Sequence, residues 1–217
     1  MCNMNWNSRL TTLYTGAVHD VLRDMGQKNF ILPKNILALN PGQKLCGEVF
    51  TVNGETADKL DGHQTLIEWT NLLSKAPEGK VIICQPNNDQ VALMGELSAE
   101  TLKKRNVLGY IVDGGCRDTE LILNLDFPVF CSFKTPADIV GRWIPKQLGE
   151  SINIGKVVVH TGDYVVADRD GIVIIPGQLI KETVEKTEIM ISTENKVRTA
   201  IMNGADPKEA YLRFGKF

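Results

Sequence analysis

The chain has 217 residues, with 24 Lys and Arg against 26 Asp and Glu and a formal net charge of −2. That length can bury a full core, as one large domain or two small ones. No basic stripe interleaved with aromatics is present, which argues against nucleic acid as a direct ligand. The longest apolar runs are strand-sized, far short of the ~20 residues that span a bilayer. The five cysteines, Cys2, Cys46, Cys84, Cys116 and Cys131, are odd in number and lack C-x-x-C spacing. That usage fits reduced thiols in a cytoplasm and argues against a disulfide framework or a structural zinc site. The polar start, M-C-N-M-N-W-N-S-R-L, carries no signal-peptide apolar segment, again the expectation for a cytoplasmic protein. No repeat or low-complexity segment is present.

Leu10, Leu13, Ala17, Val18, Val21 and Leu22 recur at helical spacing and predict a helix from Arg9 to Met25, ended by Gly26. His19-Asp20 lies within it, and a packed, hydrogen-bonded histidine is favoured there over a catalytic one. Pro33 and Pro41-Gly42 punctuate a loop-rich passage before a strand at Lys44 to Val52. Polar residues from Asp58 to His63 precede a helix at Thr65 to Leu73, with His63 a weak ligand candidate in the loop. A turn at Pro77-Glu78-Gly79 leads to a short apolar strand, Val81 to Cys84, of the buried kind.

The next fifty residues alternate regularly. A helix is expected from Glu96 to Arg105, with Leu97 and Leu102 inward and Lys103, Lys104 and Arg105 suiting the dipole at its end. A strand at Leu108 to Val112 runs into Gly114-Gly115-Cys116-Arg117-Asp118. A short helix to about Asn124 and a strand at Pro128 to Cys131 follow. Strand, helix, strand, helix, strand is a parallel βαβαβ unit. Ligands in such units gather where strands end and helices begin.

Two such places stand on consecutive units. Gly95-Glu96-Leu97-Ser98 offers free backbone N–H groups for an anion. Gly115-Cys116-Arg117-Asp118 offers a cation and a carboxylate, provided that the double glycine takes backbone conformations closed to other residues and turns both side chains to one pocket. A plainer alternative makes Asp118 the cap of the following helix and Arg117 a solvated charge.

Pro136 to Ile154 reads as irregular. Val157 to Val159 is a strand, and Tyr164 to Ala167 and Ile172 to Ile175 form a hairpin around Asp168-Arg169-Asp170-Gly171. These antiparallel strands are expected in a different layer from the βαβ part. Asp168 and Asp170 have metal-ligand chemistry, but turn formation accounts for them more simply. A long helix from Gln178 to Met202, ended by Asn203-Gly204, precedes a last short helix opened by Asp206-Pro207. The 178–217 segment is expected to pack on a neighbouring subunit.

Several stretches together resemble one family. They are Val18-His19-Asp20-Val21-Leu22, Gly47-Glu48-Val49-Phe50-Thr51-Val52, Met94-Gly95-Glu96-Leu97 and the run from Gly109 to Asp118. Phe127-Pro128-Val129-Phe130, the run from Gly162 to Gly171, and Glu194-Asn195-Lys196-Val197-Arg198 complete the set. Over nearly the whole chain they resemble the family of the regulator of ribonuclease activity A, in its 4-hydroxy-4-methyl-2-oxoglutarate / 4-carboxy-4-hydroxy-2-oxoadipate aldolase branch. The resemblance implies one domain over residues 1–217 with an α/β fold, a β/β/α sandwich of the swivelling type, assembled as a homotrimer or a dimer of trimers with active sites between subunits. It implies a divalent metal, Mg2+ or Mn2+, and a class II retro-aldol cleavage that releases pyruvate from a keto acid, or decarboxylation of oxaloacetate.

By position, the resemblance makes Asp118 the direct metal ligand and gives Arg117 the pyruvyl oxygen and carboxylate. Glu96 holds a metal-bound water. Gly95 and the backbone amides of Leu97 and Ser98 meet the substrate carboxylate. Glu194 reaches a metal-bound water from the adjacent subunit. One departure is visible. The aldolase pattern places an acid where this chain has Leu121, and the acid here is Glu120, about 100° away around a helix. Both chemistries pass through pyruvate enolate, whose charge needs a Lewis acid and a guanidinium near the keto oxygen. No Schiff-base lysine stands at either junction. The alternative function is a non-catalytic regulator that binds a ribonuclease. Methyl transfer is set aside, because no glycine-rich adenosylmethionine loop follows the first strand.

Overall fold

A twelve-residue strand, Leu45–Thr56, links the parallel part of the sheet to its antiparallel part. The structure, a computed structural model, describes residues 6–57 and 60–216, and Cys2, Asp58 and Lys59 lie outside these. In chain order the elements are α1 (Trp6–Leu10), α2 (Thr15–Asp24), β1 (Leu37–Ala38), β2 (Leu45–Thr56), α3 (Gly62–Lys75) and β3 (Lys80–Gln85). Then come α4 (Glu96–Lys104), β4 (Gly109–Cys116), α5 (Thr119–Asn124), β5 (Val129–Lys134), β6 (Trp143–Leu148), β7 (Ile152–Ile154) and β8 (Val157–Val159). The chain finishes with β9 (Tyr164–Asp168), β10 (Gly171–Ile175), α6 (Ile180–Met202) and α7 (Pro207–Phe214).

The expected parallel unit is present and one strand wider. β2, β3, β4 and β5 pair in parallel, with Val49 opposite Val81, Val81 opposite Gly109, and Tyr110 opposite Val129. The full order is β1-β5-β4-β3-β2-β9-β10, with β6 also pairing on β2. Strand alternation sends Ile82, Cys84, Tyr110, Val112, Val129 and Cys131 to one face. There they pack under Trp69 and Leu72 of α3, Ala99 and Leu102 of α4 and Ile122 of α5. Val81, Ile83, Ile111 and Phe130 point the other way, into a core shared with Ile152, Ile154, Val157, Val159, Val165, Ala167, Ile172 and Ile174. A helical layer, a parallel sheet and a second β layer result. Each fully buried aliphatic side chain contributes roughly 1.5–3 kcal/mol.

Several expectations change. The helix from Arg9 to Met25 is two helices, because the chain turns between them and Asp168 holds the second start. Its carboxylate accepts from the Thr15 amide at 2.8 Å and the Thr15 hydroxyl at 2.7 Å. Asp168 also accepts from the Asp170 amide at 3.0 Å, so turn and cap chemistry occupy it. The β9–β10 hairpin is not a separate layer in its hydrogen bonding. β9 pairs with β2 antiparallel, Leu45 opposite Ala167, so the hairpin continues the main sheet. The region from Pro136 to Ile154 is not irregular throughout. β6 pairs with β2, and β7 with β8 as a separate two-stranded sheet. Trp143, fully buried in β6, donates to the Pro86 carbonyl at 2.8 Å and lies over Gly54. His63 is an exposed residue in the first turn of α3, which Asp61 caps by accepting from the Gln64 amide at 2.7 Å.

The histidine of α2 is packed, as favoured. His19 Nδ1 lies 3.1 Å from Asp20 Oδ1, and its ring centroid is 5.6 Å from that of Phe30. No helix among the described residues is long and apolar enough to cross a membrane. Cys46, Cys84, Cys116 and Cys131 are free thiols, all buried.

Candidate active site

Three chain segments lie side by side beyond the carboxyl ends of β4 and β5, zipped together by backbone hydrogen bonds. The Leu93 amide donates to Gly115 O at 2.8 Å, and the Arg117 amide to Met94 O at 2.9 Å. On the other side the Thr135 amide donates to Cys116 O at 3.1 Å, and the Ala92 amide to Ala137 O at 2.8 Å. Residues 91–95, 115–118 and 135–138 thus form a rigid extension of the sheet, from which the candidate side chains project.

The double glycine acts through space, not backbone conformation. Neither Gly114 nor Gly115 has a positive φ. A Cβ on Gly115 would sit 2.6 Å from Val91 O and 2.7 Å from Phe133 Cε2, and one on Gly114 3.0 Å from Pro86 Cγ. Only glycine lets the 91–95 segment lie this close to β4. The left-handed residue is Asp118 itself, at φ 53 and ψ 34, a region that non-glycine residues occupy infrequently and Asp more than most. This residue reverses the chain at the end of β4, so that Arg117 and Asp118 share one side.

Asp118 makes no side-chain cap to α5. Instead its Oδ2 accepts from the Glu96 amide, at the start of α4, at 3.3 Å. Arg117 Nε stands 3.4 Å from the same oxygen, and Arg117 Nη1 stands 3.6 Å from Asp138 Oδ2. Gly95 is the floor beneath them. A Cβ there would lie 2.8 Å from Asp118 Oδ2 and 3.3 Å from Arg117 Cγ and Nε. Arg117 and Asp118 are 39% and 38% exposed, accessible to a ligand yet held in place.

At the start of α4, Gly95 offers no side-chain cap. The amides of Leu97 and Ser98 have no intrahelical acceptor at this position in a helix, and the helix dipole favours an anion here. Ser98 is fixed from behind, since Trp69 Nε1, on α3, donates to its hydroxyl at 3.0 Å. Leu97 is not inward; it is 74% exposed, and Ala99 and Leu102 form the buried stripe of α4. The structure therefore brings Gly95, Glu96, Leu97, Ser98, Arg117 and Asp118 to one place.

Glu194 lies elsewhere. It sits in α6, where it accepts a hydrogen bond from the Tyr14 hydroxyl and lies 3.7 Å from Lys216 Nζ. Burial, and then the Glu194 carboxylate, push the Tyr14 phenol up to about 12. Among the described residues no contact joins Glu194 to Arg117 or Asp118 of its own chain. Two residues at the site were not foreseen. Asp138 carried no signal in a segment expected to be irregular. Trp69 falls inside the helix expected at Thr65 to Leu73 with no functional signal beyond its indole N–H, which needs an acceptor when buried.

The donor set limits the cation that fits here. Among the described residues no three His, Cys, Asp or Glu side chains gather as a ligand cluster. The site offers carboxylates only. A zinc ion, with its three or four nitrogen or sulfur ligands, does not fit. A hard divalent cation of the magnesium type, which takes one or two carboxylates and keeps its waters, does.

Fold and site together define an α/β protein in which a half-exposed guanidinium, its neighbouring carboxylates and a helix N-terminus meet at the carboxyl ends of a parallel sheet. The family model described as "RraA-like: Aldolase/RraA" matches residues 15–174, and the chain belongs to that family. The chain is 26% identical over 206 residues to a Halalkalibacterium halodurans protein named "Putative 4-hydroxy-4-methyl-2-oxoglutarate aldolase", covering 94% of this chain and 92% of that one. It is 27% identical over 208 residues to Protein DlpA of Legionella pneumophila, covering 95% of this chain. This chain spans only 33% of DlpA's own length. The solved structure of Streptomyces coelicolor RraAS2, described as an unusual member of the RNase ES inhibitor RraA protein family, superposes with a TM-score of 0.79 at 22% identity. That match covers 91% of this chain and 98% of that one. At this identity the likeness is one of fold.

Proposed function

We propose that the protein is a divalent-metal-dependent lyase that releases pyruvate from a 4-hydroxy-2-oxo acid by retro-aldol cleavage and decarboxylates oxaloacetate at the same site. One observation carries the reading. The Arg117 guanidinium and the Asp118 carboxylate are set side by side on Gly95, at the exposed start of α4. Arg117 binds the keto oxygen and the neighbouring carboxylate of the substrate through its planar fork. The amides of Leu97 and Ser98 take the remaining carboxylate oxygen. Glu96, at the first position of the same helix, orients the water that removes the C4 hydroxyl proton. Asp118, and Glu96 through water, would hold the cation, which when bound supplies Lewis-acid stabilisation of charge developing at the keto oxygen.

In the retro-aldol direction the C3–C4 bond breaks, the C4 hydroxyl becomes a carbonyl, and the electron pair passes into the C2 enolate. Protonation at C3 then gives pyruvate. Oxaloacetate reaches the same enolate by loss of carbon dioxide. The active form in this reading is a trimer or hexamer, in which α6 and α7 pack on a neighbour and Glu194 reaches the neighbour's site through water. The exposure of Ile189, Met202 and Leu212 on those helices, at 68%, 80% and 70%, supports such packing.

The test is pyruvate release from oxaloacetate and from 4-hydroxy-4-methyl-2-oxoglutarate, with Mg2+ or Mn2+ and with a chelator. Metal-dependent release from either substrate supports the lyase. Absence of release from both leaves the protein-binding regulator of ribonuclease activity, which rests on fold likeness, as the better reading.

A further inference from the structure

We propose that a cavity at the end of β10 binds a small phosphorylated polyol, such as a sugar monophosphate. The proposal does not depend on the lyase reading. The cavity has a volume of about 560 Å³, and none of its lining residues belongs to the candidate active site. That volume is in the usual range for small-molecule sites. Its walls come from three segments: residues 27–30 after α2, residues 156–163 from β8 into the turn before β9, and residues 174–178 at the end of β10.

The protein itself fixes these walls. Asp163, 6% exposed, is the brace. Its Oδ2 accepts from the His160 amide at 2.8 Å and its Oδ1 from the Gly177 amide at 3.0 Å, which joins the turn to the exit of β10. Gly177 lies so close to that turn that a Cβ there would stand 2.5 Å from Gly162 O. The 27–30 segment is tied at both ends. The Gln27 amide donates to Leu22 O at 2.9 Å, and the Ile174 amide to Phe30 O at 2.8 Å. A hollow held in this way is formed before a ligand arrives, so binding there costs little ordering.

Charge and hydrogen-bonding capacity select the ligand. Lys28 and Lys156 both line the cavity, and both are exposed. Among the described residues neither ammonium has a hydrogen bond or an ion pair, in a chain whose formal net charge is −2. The acid at the cavity is Asp163, buried and with both oxygens taken by backbone amides. His160 Nδ1 lies 3.5 Å from Asp163 Oδ2. Two unpaired ammoniums on one concave surface focus the field and attract an anion. A phosphate monoester carries about −1.5 to −2 near neutral pH, the charge that two lysines balance. The side-chain amides of Gln27, Asn29 and Gln178 also line the cavity and have no hydrogen bond among the described residues. They can donate to and accept from hydroxyl groups. A nucleobase fits less well, because Phe30, 8% exposed, offers no open ring face for stacking.

The test is calorimetric titration of the whole protein with glucose 6-phosphate, glucose and inorganic phosphate, in the parent, in K28M/K156M and in R117M, with thermal melts alongside. Glucose 6-phosphate should bind more tightly than either of its halves. The double variant should weaken it at least about ten-fold, the usual loss for hydrogen bonds to charged groups. Its unliganded melt should match the parent, since both lysines are exposed. R117M should bind glucose 6-phosphate as the parent does. Neither heat nor a rise in melting midpoint with glucose 6-phosphate in the parent overturns the proposal. Parental affinity in K28M/K156M overturns it too, and if that affinity is lost in R117M the anion belongs to the active site. Glucose binding as tightly as its phosphate removes the anion from the argument and refutes the assigned class. An altered sedimentation rate in K28M/K156M, without any sugar phosphate bound by the parent, makes this face a subunit contact instead. Pyruvate release is not measured, so the lyase reading stands or falls separately.

Discussion

Replacing Gly95 by alanine should silence the site and leave the fold standing. Gly95 has φ −137 and ψ 176, an extended conformation that alanine adopts freely. The backbone therefore carries no strain, and the loss of unfolded-state entropy even favours the variant by about 0.4–1 kcal/mol. The new methyl group would stand 2.8 Å from Asp118 Oδ2 and 3.3 Å from Arg117 Cγ and Nε. Carbon–oxygen contact normally begins several tenths of an ångström further out, so the carboxylate and the guanidinium must move. That movement breaks the 3.3 Å bond to the Glu96 amide and the 3.4 Å pairing with Arg117. Both side chains are more than a third exposed, so the stability lost is ~1 kcal/mol or less. A displacement approaching 1 Å at a reacting centre, in contrast, costs on the order of 100-fold in rate. The assay pairs a thermal melt with metal-dependent pyruvate release. We expect a midpoint within a few degrees of the parent and kcat/KM reduced about 100-fold. Parental activity in G95A would show that Arg117 and Asp118 are not the reacting site. A grossly unfolded G95A would show that the glycine is structural.

D118A should abolish metal-dependent release, with sedimentation and melting near the parent, because its carboxylate is exposed and bonded only at the site; retention of activity would refute the metal assignment. G54A tests the packing of β6 on β2, since a methyl group there would overlap the buried Trp143 ring. Overpacking of this kind costs about 1–3 kcal/mol, a fall of roughly 2–12 °C in midpoint for a chain this size, and an unchanged melt would contradict the contact. The α1–α6 clamp tests pH. Arg9 donates to Glu188 at 2.8 and 2.6 Å, and this hydrogen bond holds the Glu188 carboxyl below its ordinary 4.5. A depressed carboxyl stabilises the fold above its unfolded value and loses that contribution as pH falls through the folded one. E188Q should thus be less stable than the parent by ~0.5–1 kcal/mol at neutral pH, discounted for exposure. In urea titrations the gap should close below about pH 4.5; a gap that widened with acid would reverse the sign of the linkage.

The sequence by itself determined the elements whose pattern is local. The 96–105 and 119–124 helices, the 178–202 helix and the buried strands carry their period and their stop signals in consecutive residues, and the structure keeps them within a few positions. The same locality exposed Gly95-Glu96 and Arg117-Asp118 as two junctions on neighbouring units. What the sequence left open depended on distant neighbours. The glycines at 114 and 115 are dictated by Val91, Pro86 and Phe133, not by their own dihedrals. The break between α1 and α2 is set by Asp168, 153 residues beyond Thr15. β6 is a strand because β2 offers it an edge, and Asp138 joins the site because the 135–138 segment is hydrogen-bonded along Cys116. Above all, whether Asp118 capped its own helix or faced Arg117 and the start of α4 was decided by a left-handed turn at that residue. Tertiary pairing on both sides holds that turn, and helical periodicity has no means of recording it.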